Sequence, residues 1–255
     1  MTTIAAVGTA AQPPPGALIA VVLIVFAGYL VFGVTWFGAS PITIPVLAQV
    51  FPLTFVLPLA ALLDLSSALA LGFQTRRDAN TRELLALLPF TLAGLTLGVT
   101  LLVNLPARAA LLALGLFGCA YALHLMVRPD RVRQIGRIWA VPAGLVGGVT
   151  GALFGMGGPP YVMYISGRVA EPAGRRATIA QMVTANVGLR VAAFAVAGLF
   201  ASRALWIAVA LLLPVTWLGL WAGHRVHVRV APATTARIIG AALLITGLAL
   251  ILRAR

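Results

Sequence analysis

An all-α integral membrane protein built of two inverted-topology repeats, each a broken helical hairpin plus three long transmembrane helices, is the fold class this sequence predicts. Three observations predict it. Apolar residues make up 61% of the chain and charged residues 9%, with a mean hydropathy of +1.05, far outside the range of soluble domains. Apolar stretches long enough to cross about 30 Å of hydrocarbon fall at residues 17–37, 53–73, 84–103, 107–127, 138–157, 177–200, 204–222 and 237–252. Two of them end in similar motifs, FGASPITIP (Phe37–Pro45) and FGMGGPPYVMY (Phe154–Tyr164), which read as helices broken inside the membrane. A break leaves backbone N–H and C=O groups unpaired, and hydrocarbon offers no substitute, so breaks persist only where they line a protein cavity or meet a ligand. Two matched breaks suggest a transporter site built from repeats.

Taken in order, residues 1–16 form a tail that contains QPPPG and no basic residue. A secretory signal needs a basic n-region, so the first apolar run is expected to stay in the mature chain. Residues 17–127 form the first membrane repeat: a long helix, the first break, a short piece at Ile42–Val50 and three further long helices. A basic linker, RPDRVRQIGR at 128–137, leads into the second repeat at 138–255, with its break, a short piece at Pro160–Ser166 and three long helices. Both short pieces are too short for a perpendicular crossing at about 1.5 Å per residue. Aligning the breaks sets Leu53–Phe73 against Arg176–Gly198 and brings Asp64 near Asn186.

Arginine placement relates the repeats. If only the four long helices of each half cross, the loop arginines divide ten against seven. If instead each broken hairpin enters and leaves on one side, thirteen (76, 77, 82, 128, 131, 133, 137, 168, 175, 176, 225, 229, 237) face four (108, 203, 253, 255). The positive-inside rule prefers the second division. It makes the repeats inverted and puts both termini outside the cytoplasm.

The net charge of +13 and pI near 11.8 would suggest nucleic acid in a soluble protein. Here all 18 basic residues are arginines lying mainly between apolar runs, where membrane topology accounts for them, so no nucleic-acid partner is expected. Cys119 is the only cysteine, which excludes an intramolecular disulfide. The chain has no P-loop, no H-E-x-x-H and no G-x-S-x-G, and it offers no nucleophile with a base, so neither an enzyme, a cofactor nor a metal is expected. A driving force would come from an ion gradient, the substrate's own gradient or a partner.

Candidate chemistry centres on the breaks. Pro41 and Pro159 stand where a helix would begin, a position at which the N–H that proline lacks would be unpaired anyway. The following short helices would present N–H groups and a positive dipole end toward the break, the outline of an anion site. Gly38, Ala39, Ser40 and Pro41 in the first motif, and Gly155, Met156, Gly157, Gly158 and Pro159 in the second, are the candidate substrate contacts, with Tyr161 following. Close helix packing is the competing explanation for small residues, and it is the expected one for Gly144, Gly147, Gly148 and Gly151.

Asp64 and Arg190 are ionisable groups inside apolar runs, and either alone is costly at membrane depth. A structural ion pair is one reading. The other is that Arg190 receives an anionic substrate group while Asp64 exchanges a proton. Gln181 and Asn186 are candidate substrate contacts beside them, and Thr184, Ser66 and Ser67 are plausible secondary ones or interhelical hydrogen bonds. His124 suits a helix end, His224 and His227 lie in a basic loop without metal-ligand spacing, and Trp36, Trp139, Trp206, Trp217 and Trp221 suit an interfacial aromatic belt.

At these residues the chain resembles the TauE/SafE family of membrane permeases, also called sulfite exporters. The resemblance rests on GLVGGVTGALFGMGGPPYVMYISGR (Gly144–Arg168), similar to the family's glycine-rich second-repeat signature, and on FGVTWFGASPITIPVL (Phe32–Leu47) followed by LPLAALLDLSSALALGFQTRRD. It covers nearly the whole chain. The first motif departs from the family pattern, with GASP where a glycine triplet is common. The resemblance implies a bacterial inner-membrane carrier that exports a small anion such as sulfite or an organosulfonate like sulfoacetate, with the lipid bilayer as its surroundings and a homodimer as an arrangement it allows. The alternatives are a non-transport membrane protein, acting as an assembly partner or intramembrane enzyme, and an uptake permease for a small carboxylate.

Overall fold

The computed structural model describes residues 15–35, 38–75, 77–127, 134–225 and 232–253. Residues 1–14, Trp36, Phe37, Arg76, the linker segment 128–133, His227 and Arg229 lie outside the described residues, as do the side chains of His124 and Arg237.

Among the described residues the chain is helical and has no strand. The first set comprises α1 (Pro15–Thr35), α2 (Ser40–Leu47), α3 (Leu53–Thr75), α4 (Thr81–Asn104) and α5 (Ala107–Val127). A 3-10 turn at Arg137–Trp139 opens the second, which runs α6 (Ala140–Phe154), α7 (Gly158–Arg168), α8 (Pro172–Val196), α9 (Arg203–Arg225) and α10 (Pro232–Arg253). The stretches Thr81–Asn104, Arg137–Phe154, Pro172–Val196 and Arg203–Arg225 are long and apolar enough to cross a membrane, and shorter apolar helical stretches cover Leu18–Gly33, Leu53–Leu69, Ala107–Leu123 and Gly240–Arg253.

Local chemistry sets the element ends. Asn80 caps α4 by accepting the Glu83 N–H at 3.3 Å, and the Glu171 carboxylate caps α8 by accepting N–H groups of Ala173 and Gly174, satisfying donors that a helix start leaves free. Those backbone hydrogen bonds hold the Glu171 carboxyl below the ordinary carboxylate range.

The two sets of five pack reciprocally. The fourth helix of each lies on the first helix of the other, α4 on α6 and α9 on α1, while α3 pairs with α8 and α5 with α10. Glycine makes these approaches close. A Cβ on Gly94 would stand 2.2 Å from the Leu145 carbonyl oxygen, one on Gly148 2.3 Å from that of Thr91, and one on Gly223 2.2 Å from that of Leu30. Gly144 and Gly148 therefore serve α4–α6 packing as expected. Gly147 and Gly151 allow close approach as well, but to α7 and α8: a Cβ there would meet the Tyr161 ring at 2.3 Å and Asn186 at 2.9 Å respectively. Each use takes a pair at i and i+4, which shares a face, and the adjacent positions 147 and 148 are turned about 100° apart at 3.6 residues per turn.

Candidate functional site

The breaks are made by backbone that only glycine adopts easily. Gly38 has φ +90° and Gly155 φ +68°, in the left-handed region where a Cβ is penalised. After each turn a short helix starts with proline in its first turn, Pro41 in α2 and Pro159 in α7, and neither start has a side-chain cap. Pro160 follows Pro159 and removes a second N–H, so the start of α7 offers fewer donors than a helix end without proline would. The two breaks touch: a Cβ on Gly155 would lie 3.2 Å from Ser40 Cβ and 3.1 Å from Arg190 Nη1.

Helices α3 and α8 cross beside the breaks and deliver the charges. Asn186 and Arg190 are one turn apart on α8 and share a face. Arg190 is 1% exposed, and its Nη2 donates to Asp64 Oδ2 at 3.0 Å. The Ser40 hydroxyl donates to the same oxygen at 2.5 Å, and the Tyr29 hydroxyl to Oδ1 at 2.7 Å. Asp64 thus collects donors from α1, the first break and α8. Arg190 also donates from Nη1 to the Gly151 carbonyl at 3.2 Å, while its buried Nε has no partner. Asn186 Nδ2 donates to the Tyr161 hydroxyl at 2.9 Å, fixing α7 against α8.

These groups surround a cavity of about 60 Å³. Of the residues anticipated from the sequence, Gly38, Ser40, Pro41, Asp64, Gly155, Met156, Gly157, Gly158, Pro159, Tyr161, Asn186 and Arg190 line it. Ala39 and Gln181 do not. Ala39 is fully buried behind the wall, where its carbonyl accepts from Ile42 and Thr43, and Gln181 lies more than one turn before Asn186 and outside the lining. Thr184 and Ser66 make helical or interhelical bonds to carbonyls, Thr184 to Ala68 and Ala180 and Ser66 to Leu63.

Sequence reasoning missed Phe32, Ala68, Val183 and Val187 in the lining, and Tyr29 and Gly151 as partners of the ion pair. Tyr29 had a signal: its hydroxyl sits mid-run in the first apolar stretch, where a ring confined to an interfacial belt would not be. The apolar lining residues had none, since their identity is that of any helix face.

A family model described as Sulfite exporter TauE/SafE matches residues 20–250 of the 255. No curated protein and no solved structure matches the chain.

Proposed function

The chain belongs to the TauE/SafE sulfite exporter family, and from that membership and the cavity between the breaks we propose a secondary carrier that exports a small oxyanion, sulfite in the first instance, across the bacterial inner membrane. The observation that carries the reading is Arg190: a guanidinium buried to 1% exposure, lining the cavity, with one donor nitrogen still unpaired. A buried donor without a partner is costly. An anion with two or three oxygens supplies partners for the Nε and Nη groups together, which a guanidinium accommodates as a fork.

The mechanism follows from competition. Asp64 holds the donors an anion would want, namely Arg190 Nη2 and the Ser40 hydroxyl. When the anion takes those donors, the Asp64 carboxylate loses two of its partners, and a proton carried on it keeps the site electrically balanced. The protonated Asp64 then leaves Arg190 and the bound monoanion as the balanced charges. Anion and proton therefore move together, without net charge, and release of the anion lets Asp64 shed its proton and close on Arg190 again.

Size favours a small substrate. The cavity of about 60 Å³ exceeds the roughly 10–15 Å³ that one water requires, which suits a pyramidal oxyanion such as sulfite, whereas sulfoacetate, with its extra carboxylate arm, requires the walls to part. Uptake of a small carboxylate is the second reading, because the same fork fits a carboxylate.

We take the halves 17–127 and 138–255 as inverted repeats with both termini periplasmic. The thirteen-to-four arginine division and the reciprocal pairing of helices between the two sets support that arrangement. Flux in liposomes holding only this protein, across sulfite, sulfoacetate, taurine and simple carboxylates, tests the function. Sulfite flux that responds to a pH gradient is expected. Absence of flux for the whole panel would return the chain to a non-transport role.

A further inference from the structure

A second buried carboxylate lies outside the cavity, tied to the short helix that forms one cavity wall. Glu83, in the first turn of α4, is 4% exposed. The Tyr164 hydroxyl donates to its Oε2 at 2.5 Å, Arg168 Nη2 donates to its Oε1 at 3.0 Å, and Arg137 Nη2 stands 3.8 Å from Oε1. Tyr164 and Arg168 are one turn apart near the end of α7, the helix whose opposite end carries Gly158, Pro159 and Tyr161 into the cavity. The chain before α6 adds two ties to the same end: the Ile135 N–H donates to the Gly167 carbonyl at 3.3 Å, and Arg168 Nη1 donates to the Ile135 carbonyl at 3.2 Å.

Helix α7 has 11 residues, a length of about 16 Å at 1.5 Å per residue, so it reaches from the cavity to this cluster. The two ends are held differently. At the cavity, Arg190 is 1% exposed, so bulk water does not reach it directly if its partner leaves. In the outer cluster the Arg168 and Arg137 side chains are 32% and 40% exposed. Water can take over the hydrogen bonds of the two arginines, which lowers the cost of parting below that of a pair buried on both sides. The short helix of the other break has no such device: α2 runs into Ala48–Pro52, which carries no charge, and is followed by the Phe51–Phe55 ring contact at 5.7 Å between centroids.

We infer that Glu83 is a positioning residue that latches α7 shut over the cavity on the face bearing Ile135 and Arg137, and that the cavity opens to that face when Tyr164 and Arg168 release it. This rests on the carrier reading only in making the cavity the substrate's. The net charge of the cluster, two arginines against one glutamate, also favours the approach of an anion at that mouth.

The test reads access rather than transport. A single cysteine at Val183, which lines the cavity, is introduced into full-length Cys119→Ser protein in membrane vesicles of both orientations, and its reaction with a membrane-impermeant thiol reagent is timed from each side. Glu83→Gln removes the charge behind two hydrogen bonds and should speed labelling about tenfold from the Glu83 side only. Glu83→Asp should restore part of the slow rate. Tyr164→Phe removes one hydroxyl and serves where Glu83→Gln does not fold, with a rise of roughly threefold from the same side. Unchanged rates, or rates rising equally from both sides, would overturn the latch. Altered access together with no flux of any anion by the parent protein would instead sink the carrier reading and leave the latch standing.

Discussion

Arg190 Nη2 lies 3.0 Å from Asp64 Oδ2, an ion pair that joins α8 to α3 across the meeting point of the two broken helices. Each residue stands in a different half of the sequence, 126 positions apart. Either charge alone is costly among apolar helices, and each offsets part of the other's cost.

The pair is expected to couple binding to protons. Asp64→Asn should retain substrate binding and lose the dependence of net flux on a pH gradient. Arg190→Lys keeps the charge but loses the fork and the Nε donor, and should weaken anion binding by at least about tenfold. A merely structural pair predicts another outcome: Arg190→Gln and Asp64→Asn each destabilise by roughly 3–5 kcal/mol, and the uncharged double variant recovers both folding and pH-coupled flux. Thermal stability measured beside flux separates the two.

Tyr29→Phe should act on the same pair more gently. It removes the hydrogen bond to Asp64 Oδ1 while keeping the ring, at a cost of about 1 kcal/mol. The flux-pH profile is expected to change, because Tyr29 then no longer holds the Asp64 carboxylate in place. An unmoved profile would mean that Tyr29 only packs.

The glycines of the second break should respond differently to bulk. A Cβ on Gly158 meets nothing within 4 Å, yet the residue lines the cavity. Gly158→Val should therefore fold normally and lose transport by filling the site. A Cβ on Gly157 would stand 2.6 Å from the Gly147 carbonyl oxygen, and one on Gly147 2.3 Å from the Tyr161 ring. Valine at either should cost about 1–3 kcal/mol in stability. Full flux by well-folded Gly158→Val protein would remove the break from the substrate path.

Sidedness is testable with the lone cysteine replaced. In a Cys119→Ser background, Asp78→Cys, in the exposed turn before α4, should label from the cytoplasm, and Ala201→Cys, exposed before α9, from the periplasm. The reverse pattern at both would invert the whole molecule, and labelling of both from one side would end the inverted-repeat arrangement.

The α4–α6 crossing predicts a purely structural effect. Gly94→Ala or Gly148→Ala puts a methyl 2.2–2.3 Å from a carbonyl oxygen of the facing helix, which the backbone must move to accept, at about 1–3 kcal/mol. A lower melting temperature with an unchanged substrate preference is the expected result.

By itself the sequence determined the membrane class, the helix sequence, both breaks and the two charges that are costly inside apolar runs. Each is a local or compositional signal: apolar run length against bilayer thickness, proline and glycine at the end of a run, a charge where hydrocarbon admits none. Only the tertiary structure decided which faces turn inward. It set Gly147 and Gly151 against Tyr161 and Asn186 while Gly144 and Gly148, from the same small-residue series, pack on α4. It brought in Tyr29 and the Gly151 carbonyl, left Ala39 and Gln181 outside the lining, and tied Glu83 to the far end of α7. The reason is geometric. In a chain that is apolar nearly all round, the hydrophobic pattern cannot fix a helix's rotation, and the partner of a helix lies in another part of the sequence, so rotation and partner follow only from how the helices pack.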